Sequence, residues 1–336
     1  MTMLTPTSSD SCVLPRSAQP RLIVVIDTEE EFDWSKDFSR SNTSVKAMRH
    51  IERVQGLFDR YGITPVYVVD YPIVSDPDGY TLLQEIHSSG RCIIGAHLHP
   101  WVSPPYEEEV NRHNSFPGNL PPTLEAMKLA RLRECIGERF GTAPVVYKAG
   151  RYGIGPSTTQ ILLDQGFEVD LSVCPFMDYS HEGGPDFSSH SYIPYWISRG
   201  RLLEIPLTVG FSGVLRKWGA TLHRLGSAPI LEPCRPIGIL ARLGLVNKIW
   251  LSPEGFLSSE HIQLTKDLFS DGLRIFSFAF HSPSVSPGHT PYVSTQHDLD
   301  NFLSRCERYF DFFLGKLGGC PTTPIELKQE LSSLTI

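Results

Sequence analysis

Nowhere in the 336 residues does an apolar run approach the roughly 20 residues of a membrane-spanning helix, and the opening stretch MTMLTPTSSDSCVLPRSAQP lacks the apolar core of a secretory signal. Those two gaps point to a soluble, cytoplasmic chain without a membrane span. The seven cysteines, Cys12, Cys92, Cys135, Cys174, Cys234, Cys306 and Cys320, are odd in number and show no Cys-x-x-Cys spacing. Neither a thiolate zinc site nor a dithiol redox centre is therefore indicated, and reduced thiols are expected. Positive charge is in short supply as well. With 30 Lys and Arg against 37 Asp and Glu, the net charge of -7 would repel a phosphate backbone, so no nucleic acid partner is expected.

What is present describes a folded chain with many turns: 40% hydrophobic residues, 20% charged, 27 glycines and 27 prolines. The length admits one large α/β domain or two. Residues 1–20 read as a flexible tail. Leu22–Ile26 is then a continuous β-branched run ending in a burst of acid, Asp27-Thr28-Glu29-Glu30-Glu31. A helix over Val45–Tyr61 follows, with Met48, Ile51, Val54, Leu57 and Phe58 on one face and Gly62 as its cap.

The beat continues with strands at Thr64–Val69, Cys92–Ala96, Ala143–Lys148 and Phe167–Val173, and helices at Tyr80–Ser88, Thr123–Phe140 and Pro156–Gln165. Residues 175–200 break the rhythm before a strand at Arg201–Thr208. A helix at Ser259–Phe269, a strand at Leu273–Phe280 and a closing helix at His297–Leu314 complete the pattern. Pro104–Pro122 is too long for an ordinary connection and reads as an active-site loop or lid. Residues 211–250 form an insertion in which Arg216, Lys217, Arg224, Arg235, Arg242 and Lys248 face one acid, Glu232; a basic lid and a solvated helical face both fit. About seven parallel strands alternating with helices suit a (β/α) barrel or a doubly wound sheet. No glycine-rich dinucleotide fingerprint follows the first strand to favour the latter.

The stretch CIIGAHLHPW is the focus. On extended backbone His97 and His99, two residues apart, point to the same side, and two neutral imidazoles facing one point are what a borderline cation such as zinc accepts. Two histidines simply hydrogen-bonded at a strand end would look the same. Other polar residues also sit where strands should finish: Asp27 and Glu29, Lys148 and Arg151, Asp170 and Ser172, and His281. In a parallel barrel those ends share one mouth. Two imidazoles and one or two carboxylates form the inventory of a catalytic metal site, with a further carboxylate to take a proton from water and a histidine to protonate a leaving amine. That chemistry is amide hydrolysis.

The ordered set VVIDTEEEFDW, GAHLHPW, YKAGRYG, GFEVDLSVCP, LLEIPLT, LSPEGF and FHSPSVSPGHTPYV resembles the polysaccharide deacetylase family of the NodB-homology type, within it the WalW-like branch, over roughly residues 20–315. The resemblance implies one catalytic domain over 21–320, a distorted (β/α) barrel of fewer than eight strands carrying the 211–250 insertion, with a C-terminal tail at 321–336. It implies a metal-dependent hydrolase that removes N-acetyl groups from an amino sugar in a polysaccharide or its precursor; a non-catalytic sugar-binding barrel and a hydrolase of a non-sugar amide are the alternatives. Carried over, Asp27 is the catalytic base, Glu29, His97 and His99 hold a divalent metal (zinc first, cobalt or nickel otherwise), and His281 is the general acid. Glu29 with Glu30 is an alternative acid pair, although exposed, solvated charge is the first reading of Glu30 and Glu31. The family's usual second histidine is Trp101 here, so His99 serves from a different place. Arg151, then Lys148, is the candidate to orient the base. Asp170 and Ser172 resemble residues that line the pocket and support the catalytic histidine. Trp101, Lys148, Tyr152, Ser172 and Tyr292 are the candidate substrate contacts, the aromatic ones as flat faces for a sugar ring.

Overall fold

The computed structural model describes residues 10–226 and 236–334. Its strands are β1 (Arg21–Thr28), β2 (Val66–Val69), β3 (Ile93–Leu98), β4 (Val146–Ala149), β5 (Val169–Asp170), β6 (Tyr195–Ser198), β7 (Leu202–Glu204), β8 (Val209–Ser212), β9 (Asn247–Trp250), β10 (Ile275–His281) and β11 (Cys320–Pro321). The helices are α1 (Glu52–Arg60), α2 (Tyr71–Ser75), α3 (Pro77–Ser88), α4 (Pro122–Phe140), α5 (Thr158–Asp164), α6 (Gly219–Gly226), α7 (Pro236–Arg242), α8 (Ser258–Asp271), α9 (Gln296–Phe310) and α10 (Pro324–Ser333). The main sheet runs β10-β1-β2-β3-β4-β5-β7-β6, parallel except for the last pair, with β11 beside β1.

Side chains alternate strictly across this sheet, because successive residues of a strand point to opposite faces. Leu22, Val24 and Ile26 of β1, Tyr67 and Val69 of β2, and Phe276, Phe278 and Phe280 of β10 pack outward into a core under the helices. Ile23, Val25, Val66, Val68, Val146, Val169, Leu203, Ile275 and Ala279 fill a second, inner core. The sheet thus curls into a half-barrel. Its open side, between β7 and β10, is bridged by single bonds: Leu251 N donates to Thr208 O (2.9 Å), Ala279 N to Leu251 O (3.1 Å) and Ser277 N to Thr208 Oγ1 (2.8 Å). This is the distorted (β/α) barrel that the resemblance implies, in a single domain.

Several boundaries differ from the expectations. Residues 10–20 are packed rather than loose: Cys12 N donates to Pro194 O (2.7 Å), Trp196 N donates to Asp10 O (2.9 Å), and Leu14 is buried. The C-terminal stretch is no tail either, since Leu327 and Leu331 of α10 enter the inner core and Arg21 pairs with Glu330 at 2.8 Å. The expected insertion is anchored at both ends by antiparallel β8 and β9, with Arg216 paired to Asp271; Glu232 and Arg235 lie outside the described residues. The 104–122 segment, read as a lid, is pinned from beneath. Lys128 of α4 is wholly buried there, donates to the carbonyls of Pro100, Ser103 and Pro105, and pairs with Glu108 at 2.9 Å.

Candidate active site

β1 and β3 carry their inward-facing positions past the sheet, and there three donors meet. Glu29 Oε2 lies 3.5 Å from His97 Nε2 and 3.5 Å from His99 Nε2, with all three side chains buried. Bonds of about 2.1 Å at tetrahedral angles place neighbouring ligand atoms roughly 3.4 Å apart, so the spacing suits a zinc-sized cation. The back of each ring is tied as metal-binding imidazoles require. His97 Nδ1 meets the Lys148 carbonyl at 2.9 Å, and His99 Nδ1 meets Glu30 Oε2 at 2.8 Å. Both Nε2 atoms then face the common point. One carboxylate and two imidazoles leave coordination positions for water and substrate.

Glu30 is not the solvated acid expected from sequence: it is 0% exposed, accepts from Trp101 Nε1 (2.7 Å), and donates its own N–H to Asp70 (2.7 Å). Burial pushes its carboxyl up to about 8 and raises that of Asp70 as well. Trp101 is also reassigned. At 1% exposure and stacked 4.3 Å from His99, it braces that imidazole and offers no face to a sugar. Gly150 permits the close packing there, because a Cβ would come within 2.4 Å of both the His99 ring and the Leu98 carbonyl.

Beside the trio stand an acid and a base. The register sets Asp27 of β1 next to His281 of β10, and Asp27 Oδ2 lies 3.7 Å from His281 Nε2. Lys148, beside His97 in the β3–β4 register, donates to both Asp27 oxygens at 2.6 Å. Burial alone would raise the Asp27 pKa, but Lys148, His97 and His281 outweigh it and hold the carboxyl below its ordinary value. His281 is the reverse case. Burial lowers it, yet Glu254, Glu29 and Asp27 together lift it to about 10, with Glu254 Oε2 at 2.8 Å from Nδ1. Glu254 is itself fixed by the His281 and Ser284 donors. The arrangement offers an ionised base and a charged acid on one wall.

Arg151 does not orient Asp27 as expected; Lys148 does. Arg151 instead pairs with Glu182, donates to Ser115 and lies 4.1 Å over the Phe116 ring, at the edge of the cleft. Asp170 and Ser172 do not support His281 either. Val169 points inward on β5, so Asp170 points outward, where it bonds Ser172 and neighbours Glu204; Ser172 Oγ accepts from Ala149 N (2.8 Å). Glu254 holds the position beside His281. Its signal in the sequence was one acid in the turn LSPEGF immediately after an apolar run. Tyr152 and Tyr292 do line the cleft, about 300 Å³ in volume, together with Phe32, Trp34, Phe38 and Trp250. Among the described residues no helix is long and apolar enough to cross a membrane.

No family model and no curated protein matches this sequence. Solved structures do match. A structure described as a polysaccharide deacetylase from Mycobacterium smegmatis aligns over 99% of this chain and 96% of its own, with TM-score 0.56 and 13% identity. A polysaccharide deacetylase structure from Pseudomonas aeruginosa PAO1 aligns over 92% and 89%, with TM-score 0.52 and 15% identity. The Puue allantoinase structure aligns over 93% and 90%, with TM-score 0.54 and 13% identity. At this identity the likeness concerns backbone, and this chain has the distorted (β/α) barrel fold of the polysaccharide deacetylase structures.

Proposed function

We propose that this chain is a metal-dependent hydrolase of linear amides in the polysaccharide deacetylase family, of its WalW-like branch. Its substrate is an N-acetylated amino sugar in a polysaccharide or its precursor. One observation carries the reading: Asp27 and His281, locked by buried partners of opposite charge, stand 3.7 Å apart beside the Glu29–His97–His99 trio. The six cysteines of the described residues are all free, which supports the cytoplasm as the site of action.

Zinc, or else cobalt or nickel, bound by the trio would supply Lewis acidity at the amide carbonyl and a lowered water pKa. Asp27, kept ionised and oriented by Lys148, takes the proton of the attacking water as the new C–O bond forms. His281 gives its Nε2 proton to the nitrogen as the C–N bond breaks, and Glu254 holds the ring in place through Nδ1. The rings of Trp34, Tyr152, Trp250 and Tyr292 provide apolar faces for a sugar.

The test is a panel of N-acetylated oligosaccharides and linear ureides incubated with zinc-, cobalt- or nickel-loaded protein, scored for free amine and carboxylate. Amine release from the sugars is the expected result. Turnover confined to the ureides would reassign the substrate, and no turnover with a filled metal site would leave a sugar-binding barrel.

A further inference from the structure

Beyond the reacting groups the cleft continues into a recess of about 150 Å³, walled by Leu207, Trp250, Leu251, Phe256 and Ala279. Asp27, His281, Tyr152 and Tyr292 border both spaces, whereas Glu29, His97 and His99 border only the outer one. The charged groups facing the recess are paired, Lys148 with Asp27 and His281 with Glu254. Lys148 spends its ammonium on both Asp27 oxygens, and Glu254 is taken up by His281 and Ser284. Against the walls formed by Leu207, Trp250, Leu251, Phe256 and Ala279 a sugar's hydroxyls would lack partners, which costs free energy that an alkyl group does not incur.

An amide carbonyl at the trio has two substituents to place. The sugar belongs in the outer cleft, which is twice as large, at about 300 Å³, and flanked by aromatic faces. The recess is left for the acyl group. A methyl would fill little of it, since an apolar cavity of about 150 Å³ accommodates a guest the size of benzene.

We propose that the recess seats an acyl chain of about four to six carbons, so that the preferred substrate is an N-acyl amino sugar with an acyl group longer than acetyl. This rests on the amide-hydrolase reading. Hydrolysis is balanced by water alone: the C–N bond breaks, a C–O bond forms, the nitrogen gains a proton and a short-chain carboxylate leaves. Ala279, whose methyl faces the recess from β10 two residues before His281, sets its depth.

The experiment compares kcat/KM for N-acetyl-, N-butanoyl- and N-hexanoyl-glucosamine oligomers with the metal-loaded protein. Two extra buried methylenes are expected to give roughly a tenfold preference for butanoyl over acetyl. Ala279→Leu should reverse that ratio, and Leu207→Ala, which deepens the same space, should move the optimum toward hexanoyl. Acetyl turned over at least tenfold faster than butanoyl by the unaltered protein would overturn the acyl proposal while leaving the hydrolase reading standing. Amine release from none of the three would overturn both.

Discussion

Protonation at the site is decided residue by residue, through which buried partner each group meets. His281 carries its proton well above neutrality because Glu254, Glu29 and Asp27 outweigh its burial. In the proposed acid role it would act below its raised pKa and fail as pH rises through it, so the alkaline limb of kcat should lie high. Glu254→Gln removes the nearest negative charge, and a pH–rate profile should show that limb moved down by about one to two units. Asp27→Asn should lower kcat by about 10²- to 10⁴-fold while metal content is retained. Asp27, Glu29, His97, His99 and His281 were legible from sequence because each follows an apolar run, and a run's end is where a parallel barrel opens. Glu30 and Trp101 were not. Glu30 meets Asp70 and His99, and Trp101 meets Glu30 and Phe32, all on other stretches of the chain, and nothing local in the acid run distinguishes an exposed glutamate from one that orients His99.

At the scale of elements, the turn after β4 and the β5–β7 pairing control how well these groups are held. Gly150→Ala would drive a methyl into the His99 ring and the Leu98 carbonyl, and titration with zinc should show affinity weakened by roughly 10- to 100-fold. Asp170 and Glu204 are neighbours in register on β5 and β7, both buried, and when one is protonated the two carboxyls hydrogen-bond to each other. Burial raises Asp170 to about 6 and Glu204 well above its ordinary value. A carboxyl raised in the folded state stabilises below its unfolded pKa, and that contribution is lost as pH rises through the folded value. Denaturation of the unaltered protein should therefore show stability falling between about pH 4 and 7 relative to Asp170→Asn, by on the order of 1 to 3 kcal/mol. Long strands and amphipathic helices were readable because their periodicity spans many residues. The β8–β9 pair and α10 were not, since short segments carry too little pattern and depend on neighbours for their pairing, and the strand expected over Phe167–Val173 pairs over only the two residues of β5. Asp170 was misplaced for the same reason: its face follows from the parity of a strand whose ends the sequence blurs.

For the whole molecule, the sheet order brings residues separated by more than 250 positions to one mouth, as Asp27 and His281 show. The repeated alternation gave the α/β class and the strand ends and left a barrel or a doubly wound sheet open, and the family resemblance pointed to the barrel. The inner recess did not, because Leu207, Trp250 and Ala279 come from three separate elements and look like ordinary core residues in sequence. The central claim is that Glu29, His97 and His99 grip a single cation. Metal content by mass spectrometry, after dialysis against zinc and then against metal-free buffer, tests it directly on the unaltered chain and on His97→Ala and His99→Ala. The expected result is close to one zinc per chain, falling to near zero in each variant while the circular dichroism spectrum is unchanged. Zinc absent from the unaltered protein, or retained equally by both variants, would contradict it.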